Sequence, residues 1–165
     1  MKRVARYVLF ALPALAFAAN SPDEHFYKSL AEGGLAEVEA GQLAQKKSND
    51  PAITKFAAMM VRDHSAANEQ LKTLADSKNI SLPKRPSVTE MAAKAKLEAL
   101  SGDSFNKAYI KNQVSGHEAT VKLLQKEIAS GQDADAKAFA EKVLPTVQGH
   151  LKAIDAIADN ADIKH

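Results

Sequence analysis

Apolar side chains recur at steps of three and four residues along most of the chain, from about position 21 to about position 158. This spacing gathers them on one face of an α-helix. A half-buried strand would need alternation with a period of two, which no stretch of useful length shows. The remaining residues are mainly Ala, Leu, Lys, Glu and Gln, most of which favour helix. The pattern therefore predicts an all-α protein.

Helix start and stop signals divide the pattern into four long helices. Ser21 and Glu24 form a candidate capping box with Pro22 at the first helical position, and Asp50-Pro51 repeats this start signal. The predicted long helices span Ser21 to about Lys47, Asp50 to about Ser77, Gly102 to Ser130, and Asp133 or Asp135 to about Ala158.

The connection between the second and third long helices is roughly 25 residues long and contains two prolines, Pro83 and Pro86, which disfavour helix around them. After it, Ser87 and Glu90 cap a short helix that runs to about Leu100. Two helical hairpins flanking a long connection predict a four-helix bundle, ferritin-like, with a short extra helix in that connection. A simple up-down-up-down order stays open, since periodicity does not determine the direction of the connection.

The amino terminus has the pattern of a secretory signal. Lys2, Arg3 and Arg6 precede an apolar run over 7–19 that contains the small residues Ala16 and Ala18. We therefore expect residues 1–18 to be a signal peptide and 19–165 a single helical-bundle domain. The run is shorter than the about 20 residues of a membrane span, so we expect a soluble periplasmic or secreted product with no integral membrane insertion after cleavage.

The net charge and the lack of cysteine argue against several classes of protein function. The formal charge of +2 becomes −1 without the leader, because 19 basic side chains then face 20 acidic ones. This balance gives no support to nucleic-acid binding. The chain has no cysteine, which excludes disulfides, thiolate metal sites and c-type haem attachment.

Three histidines lie in the apolar register of three different long helices: His64 in the second, His117 in the third and His150 in the fourth. Each lies about 15 to 18 residues from a hairpin loop, so at about 1.5 Å of rise per residue all three lie near mid-bundle. We expect them to face inward at similar levels, where they can converge.

The first helix has no histidine but offers Glu32, Glu37 and Glu39, of which Glu37 lies in the stripe that contains Leu30. Carboxylate and imidazole groups on four helices are typical of a site for a divalent transition metal such as Zn, Fe or Cu. The candidate ligands are Glu37, His64, His117 and His150. The alternative is that these histidines are packing residues, hydrogen-bonded to nearby carboxylates.

Di-iron bundle proteins use a Glu-x-x-His motif on two helices. Here a valine stands three residues before each histidine, at Val61, Val114 and Val147, which argues against a di-iron centre with oxygen chemistry. Hydrolase, P-loop and dinucleotide-binding motifs are also absent from the sequence. The sequence favours a non-enzymatic role without deciding the question.

Segments on all four long helices resemble the exported bacterial domain-of-unknown-function family 4142, over about Asp23 to Ala158. They are residues 31–39, Phe56-Ala57 with 60–64, Ser115-Gly116-His117, and Leu144-Pro145 with His150-Leu151. The resemblance implies a ferritin-like four-helix domain, and the family's recurrent Glu and His positions would correspond to the same four candidate ligands. Members are often labelled outer-membrane proteins, which we interpret as an address in the cell envelope.

The sequence thus predicts an exported envelope protein of unknown activity, monomeric or weakly dimeric, with an internal Glu/His metal site. The alternative is a structural or interaction protein of the envelope that has no metal site and binds another envelope protein.

The first prediction concerns export. Intact-mass measurement on the exported protein should show cleavage after Ala18, because small residues at Ala16 and Ala18 follow the basic head and apolar run. A membrane-associated species that retains the leader would show that the segment is an anchor instead.

Overall fold

The structure is a computed structural model that describes residues 23–163. Within this range the chain forms five helices and no strand, which confirms the all-α prediction. The helices are α1 (Glu24–Lys47), α2 (Pro51–Ser77), α3 (Val88–Glu98), α4 (Gly102–Ser130) and α5 (Ala134–Asn160). The predicted signal peptide and the capping residue Ser21 lie outside the described residues.

Three helices begin at residues whose side chains cap them. The Asp50 carboxylate accepts hydrogen bonds from two backbone N–H groups in the first turn of α2, with Pro51 at the first helical position. Ser87 and Glu90 form the predicted capping box of α3, and Asp133 caps α5. Each cap satisfies N–H groups that the helix itself leaves unpaired.

The described start of α1 is held by a contact with another part of the chain. Asp23 occupies its N-cap but makes no side-chain hydrogen bond to the helix. Its carboxylate instead accepts the backbone N–H of Gln132, at 3.0 Å, and that of Asp133, both in the loop between α4 and α5. This tertiary contact ties the start of α1 to the far hairpin.

The four long helices form two antiparallel hairpins, α1 with α2 and α4 with α5. Side-chain contacts also pair α1 antiparallel with α4, since Ser48 meets Asn106 at 2.8 Å and Glu37 meets Gln113 at 2.7 Å. In the same way, α2 runs antiparallel to α5, with Asp63 3.0 Å from His150 at mid-helix and Lys78 bonded to Asp133 at one end.

It follows that α2 and α4 run in the same direction, so the segment between them crosses from one end of the molecule to the other. The short helix α3 lies in this segment and packs against α1, where Lys94 of α3 pairs with Glu39 at 2.9 Å. Between the two orders that periodicity leaves open, the described structure has the crossover.

The interior consists of two apolar clusters with polar side chains between them. One cluster contains Phe56, Met60, Phe105, Tyr109, Val114 and Ile154, and the other contains Phe26, Tyr27, Leu71, Leu124, Phe139 and Val147. Along each of α2, α4 and α5, the histidine stands between a member of one cluster and a member of the other. The histidines therefore form a layer at mid-level, as predicted.

Two glycines in α1 allow α2 to lie close. A Cβ atom at Gly41 would come within 2.9 Å of the Ala57 carbonyl oxygen, and one at Gly34 would overlap the side-chain amide of Asn68. Close helix approach thus accounts for both residues.

Pro145 lies inside α5, which is continuous through it. Among the described helices, none combines the length and apolar character that a membrane span requires.

We predict that Phe56→Ala lowers the free energy of unfolding by about 3 to 5 kcal/mol, because it removes a buried ring from the core. Phe56 is 3% exposed and packs edge-on against Tyr109. The matched control is Val88→Ala, whose side chain is 78% exposed and which should change stability by less than about 0.5 kcal/mol. Urea denaturation measures both, and equal effects would contradict the core assignment.

Candidate metal centre

The structure brings His64, His117 and His150 together in the layer between the two apolar clusters. One candidate ligand atom from each lies within 4.8 Å of the other two, and the ring centroids are 5.4 to 5.7 Å apart. The residues are only 1% to 8% exposed. Three helices therefore each contribute one buried imidazole to a single point.

The ring of His117 is held from behind by its own helix. Its Nδ1 lies 2.8 Å from the carbonyl oxygen of Gln113, one turn earlier in α4. Since a carbonyl only accepts, Nδ1 carries the proton and Nε2 carries the lone pair. This Nε2 is buried and has no hydrogen-bond partner among the described residues.

The ring of His150 is held by a carboxylate on the neighbouring helix. Its Nε2 donates to Asp63 Oδ2 at 3.0 Å, which leaves the lone pair on Nδ1. Arg62 forms a two-point contact with the same carboxylate, at 2.7 and 3.0 Å, and thereby lowers the pKa of Asp63. The carboxylate therefore stays ionised as an acceptor, while Nδ1 of His150 has no partner among the described residues.

The ring of His64 completes the group, with its buried Nε2 likewise unpartnered within the described part of the chain. Burial, together with the nearby rings of His117 and His150, lowers the pKa of His64 to about 3. Burial also lowers the pKa of His150, although Asp63 opposes the shift. At neutral pH these two imidazoles are neutral and able to act as ligands.

This arrangement fits a metal ion. Around one ion at about 2.0 to 2.1 Å, three imidazole nitrogens lie about 3.5 Å apart, so modest ring movements bring the observed atoms into range. A ligating histidine characteristically donates its other N–H to a carboxylate or a backbone carbonyl, which fixes the ring and the tautomer. His150 donates to the Asp63 carboxylate, and His117 donates to the backbone carbonyl of Gln113.

Glu37, the fourth predicted ligand, lies on the opposite side of His117. Its Oε1 is 3.9 Å from Nδ1 of that ring, and its Oε2 accepts a hydrogen bond from Gln113 Nε2 at 2.7 Å. Gly116 leaves room for it, since a Cβ there would come within 3.1 Å of Oε1. Burial raises the pKa of Glu37. The carboxylate thus stands behind a ligand ring, outside the group of three converging nitrogens.

Sequence reasoning missed Asp63 and the carbonyl of Gln113 as supports of the site. The Gln113 contact follows from helix geometry, because a residue and the one four positions later share a face. No local pattern predicted the role of Asp63. It directly precedes His64 in the sequence, but the ring that it supports is that of His150, 87 positions away on α5. Only the packing of α2 on α5 joins them.

The fold is shared with solved structures of low sequence identity. A DUF305 fragment from Deinococcus radiodurans is 11% identical, with a TM-score of 0.75 over 85% of this chain and 97% of that one. A DUF305 protein from Streptomyces coelicolor, described as a candidate secreted protein, is 15% identical, with a TM-score of 0.75 over 90% and 98%. CopM in its Cu(I)-bound form is 14% identical, with a TM-score of 0.70 over 84% and 96%.

No curated protein matches the sequence. The family described as domain of unknown function DUF4142, in contrast, matches residues 11–157, which include all three converging histidines and Glu37. The chain therefore belongs to the DUF4142 family.

Proposed function

We propose that this protein is an exported ferritin-like four-helix bundle that binds one transition-metal ion through His64, His117 and His150. The observation that carries the proposal is that the three residues bring one candidate ligand atom each within 4.8 Å of the other two, while each ring also has a buried nitrogen without a hydrogen-bond partner among the described residues. A metal ion bound by one nitrogen of each ring would satisfy all three rings at once.

A packing role explains these nitrogens less well. A buried polar atom left without a partner costs about 1 to 3 kcal/mol, and the three adjacent rings each have one such atom. Histidines that served only as core residues would be expected to pair every buried nitrogen. The alternative of an envelope protein without a metal site therefore predicts hydrogen bonds that the described contacts lack.

The donor set favours copper or zinc among the candidate metals. Imidazole ligands suit Zn, Cu, Fe and Ni, and a given site generally holds Cu(II) most tightly of the divalent series. CopM, whose fold is similar, has been solved in Cu(I)-, Cu(II)- and Ag-bound forms. Both points support copper, and the absence of a carboxylate from the three converging donors disfavours iron.

The charge around the site supports a cation. Imidazole ligands bring no compensating charge, but Asp63 hydrogen-bonds His150 and Glu37 lies beside His117. The ionised Asp63 carboxylate, which is hydrogen-bonded to one of the proposed ligands, offsets part of the positive charge of a bound ion. Glu37 lies behind His117 and does not coordinate the ion in this proposal.

An envelope location is part of the proposal. The leader pattern over residues 1–18 and the description of the Streptomyces coelicolor relative as a candidate secreted protein both support export. We expect a monomer or weak dimer in the periplasm, with no nucleic-acid partner and with another envelope protein as the candidate partner.

The metal site is tested by titration. Cu(II) added to the metal-free protein should bind at one ion per chain and raise the melting temperature, because a ligand that prefers the folded state stabilises it. His64→Ala should weaken binding at least tenfold. The matched control is His25→Ala, since His25 is exposed and lies outside the layer. Calorimetry and thermal unfolding measure both effects.

Equal losses from the two alanine variants would contradict an internal site and indicate loose surface coordination. An absence of stoichiometric binding, with His64→Ala changing stability to the same extent with and without Cu(II), would support the structural alternative.

The metal-free protein should also lose stability in mild acid. An unfolded histidine binds a proton below its usual pKa of about 6.5, whereas burial keeps folded His64 neutral down to about pH 3. The buried His64 therefore costs about 1.4 kcal/mol of stability per pH unit as the pH falls from 6.5 towards 3.

Urea denaturation between pH 6.5 and 5 should show a shallower pH dependence for His64→Gln than for the wild type. The difference should be about one proton, and other titrating groups cancel in the comparison. His25→Gln should keep the wild-type slope, because His25 is exposed. Identical slopes for all three proteins would show that His64 is not buried in its neutral form.

A further inference from the structure

We propose that a cavity beside the histidine layer binds a small neutral molecule, which has an apolar body and one donor atom that completes the coordination of the metal. This inference rests on the proposed metal site. It assigns that site a ligand class, whereas a purely structural metal centre would have a closed coordination shell.

The cavity has a volume of about 230 Å³, and His64 and His150 form part of its wall. Most of the remaining wall is apolar and includes Leu71, Phe139 and Val147. A cavity of about 150 Å³ with such a lining is large enough for benzene. There is therefore room for one ring or branched chain directly beside two of the three proposed ligands.

The three histidines leave the metal short of donors. A four-coordinate ion bound by three imidazoles has one remaining position, which is characteristic of metal sites that accept exogenous ligands. Glu37 does not supply a donor at its present position, because its carboxylate lies behind His117 and is bonded to Gln113. Because two of the ligand rings border the cavity, the remaining donor can come from a molecule in that space.

The charged groups of the cavity favour a neutral ligand. Those nearest the histidines are the acidic side chains of Asp63 and Glu37. The one basic residue in the lining, Lys142, is exposed and donates to Gln70 of α2 at 2.6 Å. The described lining therefore offers an anionic ligand no cationic side chain beside the histidines, whereas a neutral nitrogen or sulfur donor with an apolar body matches both the metal and the wall.

The experiment compares three probes on the full-length exported protein loaded with Cu(II): 4-phenylimidazole, imidazole and azide. Binding is followed by electron paramagnetic resonance and visible absorption, and desalting followed by elemental analysis confirms that copper stays bound. We expect 4-phenylimidazole to bind at least ten times more tightly than imidazole, because its phenyl ring fills the apolar cavity. Azide should bind more weakly than either.

Two matched variants test the location. Thr146 and Gln148 are both exposed on α5, but only Thr146 lines the cavity. Thr146→Trp should cover the opening and weaken 4-phenylimidazole binding at least tenfold while copper stoichiometry stays unchanged. Gln148→Trp should behave as the wild type, and both variants should fold because neither site is buried.

The outcomes separate this inference from the proposed function. Copper loading at one ion per chain, with equal affinity for imidazole and 4-phenylimidazole or with equal effects of the two tryptophan variants, would overturn the ligand site alone. Failure of copper loading would overturn the metal site and the ligand site together.

Discussion

The candidate site depends on the burial of three imidazoles at one level between two apolar clusters. His64, His117 and His150 are only 1% to 8% exposed, with an apolar cluster on either side of them. This burial keeps His64 neutral, since a charged imidazole is poorly solvated there. The same burial leaves one nitrogen of each ring without a hydrogen-bond partner among the described residues.

The connection between the hairpins determines which groups support these rings. Because the chain crosses over between α2 and α4, α2 lies beside α5 and Asp63 can meet His150. In a simple up-down-up-down bundle, the second and fourth long helices would stand on a diagonal. The histidines would keep their level in either order, but the contact between Asp63 and the ring of His150 depends on the crossover.

Local signals predicted most of the fold, and tertiary contacts account for the rest. Asp50, Ser87 and Asp133 cap their helices with bonds to residues two or three positions away, so the sequence alone reveals them. Asp23 bonds to Gln132 and Asp133, more than 100 positions along the chain. The period of 3.6 residues likewise placed the histidines inward, since each faces the centre of its stripe.

The direction of the Glu37 side chain could not be predicted from the helical period. An apolar stripe is at least 100° wide. A residue's position in the stripe therefore does not determine whether its side chain points at the centre of the interior or towards a neighbouring helix. Glu37 lies at such an edge, where the Gln113 amide and the space beside Gly116 hold its carboxylate against the outer side of His117. A carboxylate in that position lies beside one ring of the histidine layer and outside the group of three rings. The cavity wall, in turn, is assembled from residues of all four long helices, and no single stripe could have indicated it.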